Sequence, residues 1–156
     1  MFKLSSRNKA ICTVAALLSW SLPLAAQAAD ITVSVSGITS KEGKVNIALF
    51  GPNGNFPRPE AVLKGGRVDL TSDPASDPVT GLITDKVSFV FKNLAPGEYA
   101  IASYHDRNNN GKRDRGAKEA IGFSNDAKIF LGPPDFKDAA FALGQENITV
   151  DVKLVD

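Results

Sequence analysis

Ile148-Thr149-Val150-Asp151-Val152-Lys153-Leu154 is the stretch that decides the fold. Apolar side chains occupy every second position and polar ones fall between them. Only an extended strand sends such a pattern to two different faces, one buried and one wet. The same alternation recurs outward along the chain. Ile31, Val33 and Val35 alternate with Thr32, Ser34 and Ser36. After a turn at Ser40-Lys41-Glu42-Gly43, Val45, Ile47 and Leu49 repeat it, which predicts an opening hairpin. Val87, Phe89 and Phe91 mark a further strand. Asn93-Leu94-Ala95-Pro96-Gly97-Glu98 turns the chain, and Tyr99, Ile101 and Ser103 begin the next strand.

Weaker segments lie between. Leu63 to Leu70 contains Gly65-Gly66 and reads as an edge or irregular strand. Gly51 to Pro59 carries three prolines and reads as a long loop, with Phe56 tucked back onto the core. Two Asp-Pro pairs exclude Thr71 to Pro78 from a strand interior. Asp135 to Ala139 has room for one helical turn. No long 3.6-residue period, repeat or heptad is present. The expectation is an all-β fold: a two-sheet sandwich of about seven strands with Greek-key connections. The Cys-Trp-Cys hallmark of antibody domains is absent, so an Ig-like architecture alone is implied.

The first 28 residues read as a cleavable secretory leader. Lys3, Arg7 and Lys9 are basic. Ala10 to Leu18 is apolar apart from Thr13 and too short to span a bilayer, which needs about 20 such residues. Pro23 breaks the segment, and Ala26-Gln27-Ala28 fits the A-x-A cleavage pattern. Residues 29–156 are then expected to form a single periplasmic or secreted β-sandwich domain without a transmembrane anchor. Cys12 and three of the 18 basic residues leave with the leader, while all 17 acidic residues remain. The mature chain is left with 15 basic and 17 acidic residues, a net charge of −2. It has no cysteine for disulfides, thiolate zinc sites or thiol catalysis. It has no basic stripe for nucleic acid.

One loop carries a ligand-type pattern. Asp106-Arg107-Asn108-Asn109-Asn110-Gly111-Lys112-Arg113-Asp114 contains D-x-N-x-N-G, the first half of a calcium-loop motif. Ca²⁺ takes six to eight hard oxygens, and alternate residues of a curling loop can aim them at one centre. The candidate ligands are Asp106, Asn108, Asn110, the backbone carbonyl of Lys112, and Asp114. Ala117 stands where an EF-hand places its closing Glu, so Glu119 is the candidate to close the shell. Against this, Arg107, Lys112, Arg113, Arg115 and Lys118 outnumber the three acids from Asp106 to Glu119 and leave the stretch at +2. Three readings stay open: a weak structural Ca²⁺, a plain polar turn, and a basic loop facing an anion or glycan.

The stretch and its flanks resemble a secreted bacterial family known as domain of unknown function 2141. The resemblance rests on Phe91-Lys92-Asn93-Leu94-Ala95-Pro96-Gly97-Glu98-Tyr99-Ala100-Ile101 and on Tyr104-His105-Asp106 with Asn108, Asn110, Gly111 and Asp114. It continues through Lys118-Glu119-Ala120-Ile121-Gly122-Phe123-Ser124-Asn125 and Phe136-Lys137-Asp138-Ala139-Ala140-Phe141. With the opening hairpin it covers most of the mature chain. It implies a secreted β-domain, and the L-x-P-G-x-Y turn is shared with transthyretin-like modules. The sequence departs from the family's usual pattern at Arg107, often acidic there, and at Asn109, often Gly.

Two classes of function are carried forward. The first is a non-enzymatic binding or structural module of the bacterial envelope. Tyr104, His105, Arg107 and Arg113 are its candidate contacts, and an envelope protein, a glycan or a small ligand its candidate partner. The alternative is a hydrolytic enzyme or small-ligand carrier using the loop around His105. His105 is the only histidine. A triad would have to bring Ser103 or Ser124 to it, and no G-x-S-x-G elbow supports one. No catalytic residue is assigned, and no cofactor beyond Ca²⁺ is expected.

Overall fold

The computed structural model describes residues 27–70, 86–114 and 119–156. Almost all of the expected leader, the Thr71–Pro78 loop and the 115–118 stretch lie outside the described residues. Within the described residues, eight strands form two sheets. The smaller has the order β4 (Lys86–Leu94), β1 (Ala29–Ser36), β8 (Ile148–Lys153). The larger has the order β3 (Val62–Asp69), β2 (Lys44–Phe50), β5 (Gly97–Asp106), β6 (Ile121–Phe123), and β7 (Phe141–Leu143) also pairs with β5.

Alternation builds the core directly. Ile31, Val33 and Val35 from β1 meet Val45, Ile47 and Leu49 from β2, with Val87, Phe91, Ile101 and Val152 completing one cluster between the sheets. The polar residues of β1 and β2 fall on the other face, as the period-two pattern requires. The Leu63 to Leu70 stretch is indeed an edge strand, β3, and one of its two glycines has a use. A Cβ at Gly66 would lie 2.5 Å from the Phe89 ring, so the missing side chain admits that ring from the other sheet.

The opening hairpin does not form. β1 pairs antiparallel with β4 and parallel with β8, whereas β2 pairs with β3 and β5. The Gly37–Gly43 connection instead crosses from one sheet to the other. Ile38 is buried in the core on the way, and Gly37, at φ 80°, passes where a Cβ would lie 2.5 Å from the Leu154 carbonyl oxygen. Apolar alternation says which face of a strand is buried; it does not say which ladder the strand joins.

A second cluster lies on the opposite face of β5. Ala100 and Ala102 pack there with Phe123, Phe136 and Ala139. Phe56 is tucked back as expected, but into this cluster. Its ring meets Phe50 edge-on at 5.0 Å and lies 5.7 Å from Phe123 and 6.1 Å from Phe136. The expected helical turn is present as α1 (Phe136–Ala139). Tyr99 braces the β4–β5 turn by donating its hydroxyl to the Ala95 carbonyl at 2.8 Å. No helix among the described residues is long and apolar enough to cross a membrane.

Candidate functional site

The Asp106 loop begins where β5 ends, and a neighbouring turn shapes its entry. Lys44 is in register with Asp106, so the Ser40–Gly43 turn lies against the first residues of the loop. Gly43 has φ 76°, and a Cβ there would sit 2.0 Å from the Asp106 carbonyl oxygen and 2.6 Å from Arg107 Cα. Both the backbone angle and the space demand glycine. The next residue back supplies two contacts. The Glu42 carbonyl pairs with His105 Nε2 at 2.7 Å, and its carboxylate takes the Arg107 guanidinium at 2.8 Å.

Inside the loop, side-chain oxygens collect backbone N–H groups. Asp106 Oδ1 accepts from the Asn110 N–H at 3.1 Å, and Oδ2 accepts from Gly111 at 2.9 Å and from Asn46 Nδ2 at 3.4 Å. Asn108 Oδ1 accepts from Asn110 and Asn110 Oδ1 from the Lys112 N–H, two-residue bridges of the Asx-turn kind. Asn109 and Gly111 take positive φ, 59° and 76°, to let the chain curl. Asp114 Oδ2 accepts the amides of Asn108 at 2.9 Å and Asn110 at 2.6 Å. Glu119 then closes the loop at its base. Its Oε1 takes the Arg107 N–H at 3.2 Å and its Oε2 the Asp114 N–H at 2.6 Å. Asp106, Asn108, Asn110, Asp114 and Glu119 are thus joined in one hydrogen-bonded loop, and Lys112 is exposed on its outer side.

Its electrostatics are uneven. Asp106 and Glu119 are each only 2% exposed. Among the described residues neither has a cationic partner within ion-pair distance. Arg107 is turned aside to Glu42, whose carboxyl it holds below the ordinary value of 4.5, first by the hydrogen bond and then by its charge. Arg113 donates its Nε to the Glu119 carbonyl, a backbone contact. Partial burial pushes the Tyr104 phenol above its ordinary 10.0, and the charges of Asp106 and Glu119 push the same way.

A hard-cation shell would suit part of this donor set. The oxygens are of the right class, and Asp106 Oδ1 and both Glu119 carboxylate oxygens, each taking one of the donors above, keep a second lone pair, whereas Asp106 Oδ2 and Asp114 Oδ2 each take two. Both asparagine amides, however, present Nδ2 to Asp114 rather than Oδ1. No three His, Cys, Asp or Glu side chains of the described residues converge on one point. A shell here would have to recruit the two amide oxygens and a backbone carbonyl beside the acids.

The expected contact residues divide. Tyr104 is half-buried on the outer face of the larger sheet, in register with Asn46 on one side and Ile121 on the other. Asn46 joins it to its surroundings, accepting from Arg67 Nε at 3.0 Å while donating to Asp106. Arg107 and Arg113 are partly exposed at the loop's rim. His105 is a correction. It is buried with the core-facing residues of β5, held by Glu42, and presents no contact surface. Ser103 and Ser124 are also fully buried, bonded to the Asn46 and Ala139 carbonyls respectively. Glu42, Gly43, Asn46 and Arg67 join the site without belonging to its sequence motif. They reach the loop from β2, β3 and a distant turn, and only the Glu42-Gly43 turn leaves a local signal in the sequence.

A family model matches residues 33–151, well over half of the chain, and its description is "Uncharacterized protein conserved in bacteria (DUF2141)". No curated protein and no solved structure matches the chain.

Proposed function

The chain belongs to that family of bacterial proteins, and on that premise we propose that it is an exported, non-enzymatic binding or structural module of the cell envelope whose Asp106 loop holds one weak Ca²⁺. The observation that carries the calcium reading is the pair Asp106 and Glu119. Both carboxylates are buried, both are held by neutral donors, and neither has an ion-pair partner among the described residues. Buried charges in proteins are ordinarily paired or bound to metal. Arg107, the nearest local argument against a cation, is occupied by Glu42.

The asparagine amides give the reading its mechanism. Their Nδ2 groups satisfy Asp114. A half-turn of each amide, at the expense of its bond to the Asn110 or Lys112 N–H, exchanges Oδ1 for Nδ2 and places two carbonyl oxygens beside that carboxylate. A divalent ion favours that orientation, and a carboxylate alone favours the other. The affinity expected of such a site is that of extracellular modules, roughly 10⁻⁴ to 10⁻³ M. Bound calcium would neutralise the acids and tie the end of β5 to the base of β6. The rest of the surface offers Tyr104, Arg107 and Arg113 to an envelope protein, a glycan or a small ligand. The burial of His105, Ser103 and Ser124 favours this reading over the hydrolytic one, because none of them faces solvent.

Two measurements test the proposal. Thermal melting in EDTA and then in millimolar Ca²⁺ should show a rise of about 4 °C, the shift that about 1 kcal/mol of ligand stabilisation produces in a small domain. The rise should vanish in Asp106→Asn, which keeps the side-chain shape. Identical wild-type melts in the two conditions remove calcium from the proposal. The mass of protein recovered after expression in a bacterium with a general export pathway should place the mature N-terminus at Ala29. A cytoplasmic, full-length product removes export.

A further inference from the structure

The loop between β6 and α1 exposes what a soluble domain normally hides. Ile129, Phe130 and Leu131 follow one another, with 49%, 83% and 97% of their surfaces exposed. Single exposed apolar residues are common, but three large ones in a row on a projecting turn are not. An apolar cluster stands nearby. Phe136, a few residues further on, packs there with Phe56 from a distant loop, yet the three side chains do not join them.

The backbone holds the tip out. Leu131 sits at φ 55°, a left-handed conformation that costs a non-glycine residue free energy. The Phe130 N–H reaches over it to the Gly132 carbonyl at 3.2 Å. Both stems are fastened. On one side the Ala127 N–H bonds the Ser124 carbonyl at 3.3 Å; on the other Pro134 is buried, and Ser124 Oγ and Asn125 Nδ2 bond the Ala139 and Ala140 carbonyls. The tip is therefore a fixed projection from the Tyr99–Ile101 half of β5, while the polar loop follows the Asp106 end.

We infer that Ile129, Phe130 and Leu131 insert into the interfacial layer of a lipid bilayer. The shape and size of the tip favour that occupant. A stable protein interface needs about 800 Å² from each partner and a matched surface, and three side chains on a convex turn fall well short of it. A fluid apolar phase needs no matching surface. The charges around the tip suit the same occupant. No acidic residue lies between Ala127 and Pro134, and Lys128 stands at the entry, where its amine can reach headgroup phosphates while its stem follows the tip inward. At the base, Lys137 is offset by Asp126, Asp135 and Asp138. Insertion is therefore driven by apolar burial, is weak, and depends little on salt. The inference is independent of calcium in the Asp106 loop.

The test is co-sedimentation of the protein with phosphatidylcholine vesicles at low and high salt, for wild type and for Phe130→Asp/Leu131→Asp. Wild type should bind at both salt concentrations, and the double variant should bind at least about tenfold more weakly, given the area two such side chains bury. The variant should keep its circular dichroism, since the replaced side chains touch solvent. A local probe guards against binding through the apolar leader. In a Trp20→Phe background, Phe130→Trp provides the only indole, and its emission should shift to the blue on adding vesicles. Absence of wild-type binding, equal binding by the variant, or no blue shift overturns the inference. So does a blue shift that requires a second protein or self-association instead of lipid.

Discussion

Two loops hang on strand β5, and they treat exposure in opposite ways. The Asp106–Asp114 loop is made of charged and polar residues, yet it buries Asp106 and keeps Glu119 out of solvent at its base. The Ala127–Pro134 loop is rich in apolar residues, yet it presents Phe130 and Leu131 to water. Each inversion needs backbone support. The polar loop has it from side-chain oxygens that take the N–H groups of Arg107, Asn110, Gly111, Lys112 and Asp114. The apolar loop has it from fastened stems and a left-handed Leu131. Composition gives the ordinary expectation for a loop, and departures from it mark the places where the fold spends stability on something other than stability.

The contrast can be attacked first at the polar loop's entry. Gly43→Val should lower unfolding free energy in urea by about 3 kcal/mol, since it combines a left-handed φ with a backbone collision. An unchanged denaturation midpoint would mean that the turn does not rest on Asp106 and Arg107. Glu119→Ala should cost about 2 kcal/mol by leaving two N–H groups without their acceptor, and Glu119→Gln should cost less because it keeps one carbonyl oxygen. Equal losses in the two variants would show that shape, not acceptance, matters there. At the other loop, Phe130→Asp/Leu131→Asp should melt within about 0.5 kcal/mol of wild type, as surface substitutions do. A large loss would show that the tip is packed rather than presented.

The smallest effects are in pH. Tyr104 has a raised phenol value, so its contribution is intact below 10.0 and is lost as pH rises above that into the alkaline range. Absorbance titration should show a late phenol that disappears in Tyr104→Phe. Glu42 has a lowered value, so the stability from its Arg107 pair is present above 4.5 and fades as pH falls below it. The carboxylate is largely exposed, so solvent screens the pair and the effect on melting should be slight. A Glu42 titration that stays the same in Arg107→Met would show that the pair does not hold the shift.

Much of the architecture is legible in the amino-acid order. Val33, Val35, Val45, Ile47, Leu49 and Val152 are core residues because they alternate, and alternation is a local property of the backbone. The pairing of strands is not legible. Backbone donors and acceptors are alike in every strand, so nothing in Ile31–Val35 announces β8 as a parallel neighbour or denies β2 as a hairpin partner. At the site, the Asp106, Asn108, Asn110 and Gly111 spacing is readable because an Asx-rich turn is built from its own near neighbours. Glu119 is expected as a ligand closing a calcium shell; that it takes the Arg107 and Asp114 N–H groups is a contact its place along the chain does not announce. His105 misleads as a contact. Its neighbours in sequence are polar, but strand parity turns it inward beside Ile101 and Ser103.

The sequence by itself determined that this chain makes strands, which faces they bury and where its polar turn curls. Those outcomes depend on side-chain periods and turn chemistry a few residues long. Tertiary structure alone decided that the Glu42-Gly43 turn meets Asp106, that Asn46 and Arg67 stand beside Tyr104, and that Ile129 to Leu131 stay exposed and outside the aromatic cluster. Those outcomes depend on crossings between sheets and on stems fastened at a distance, where no local pattern reaches.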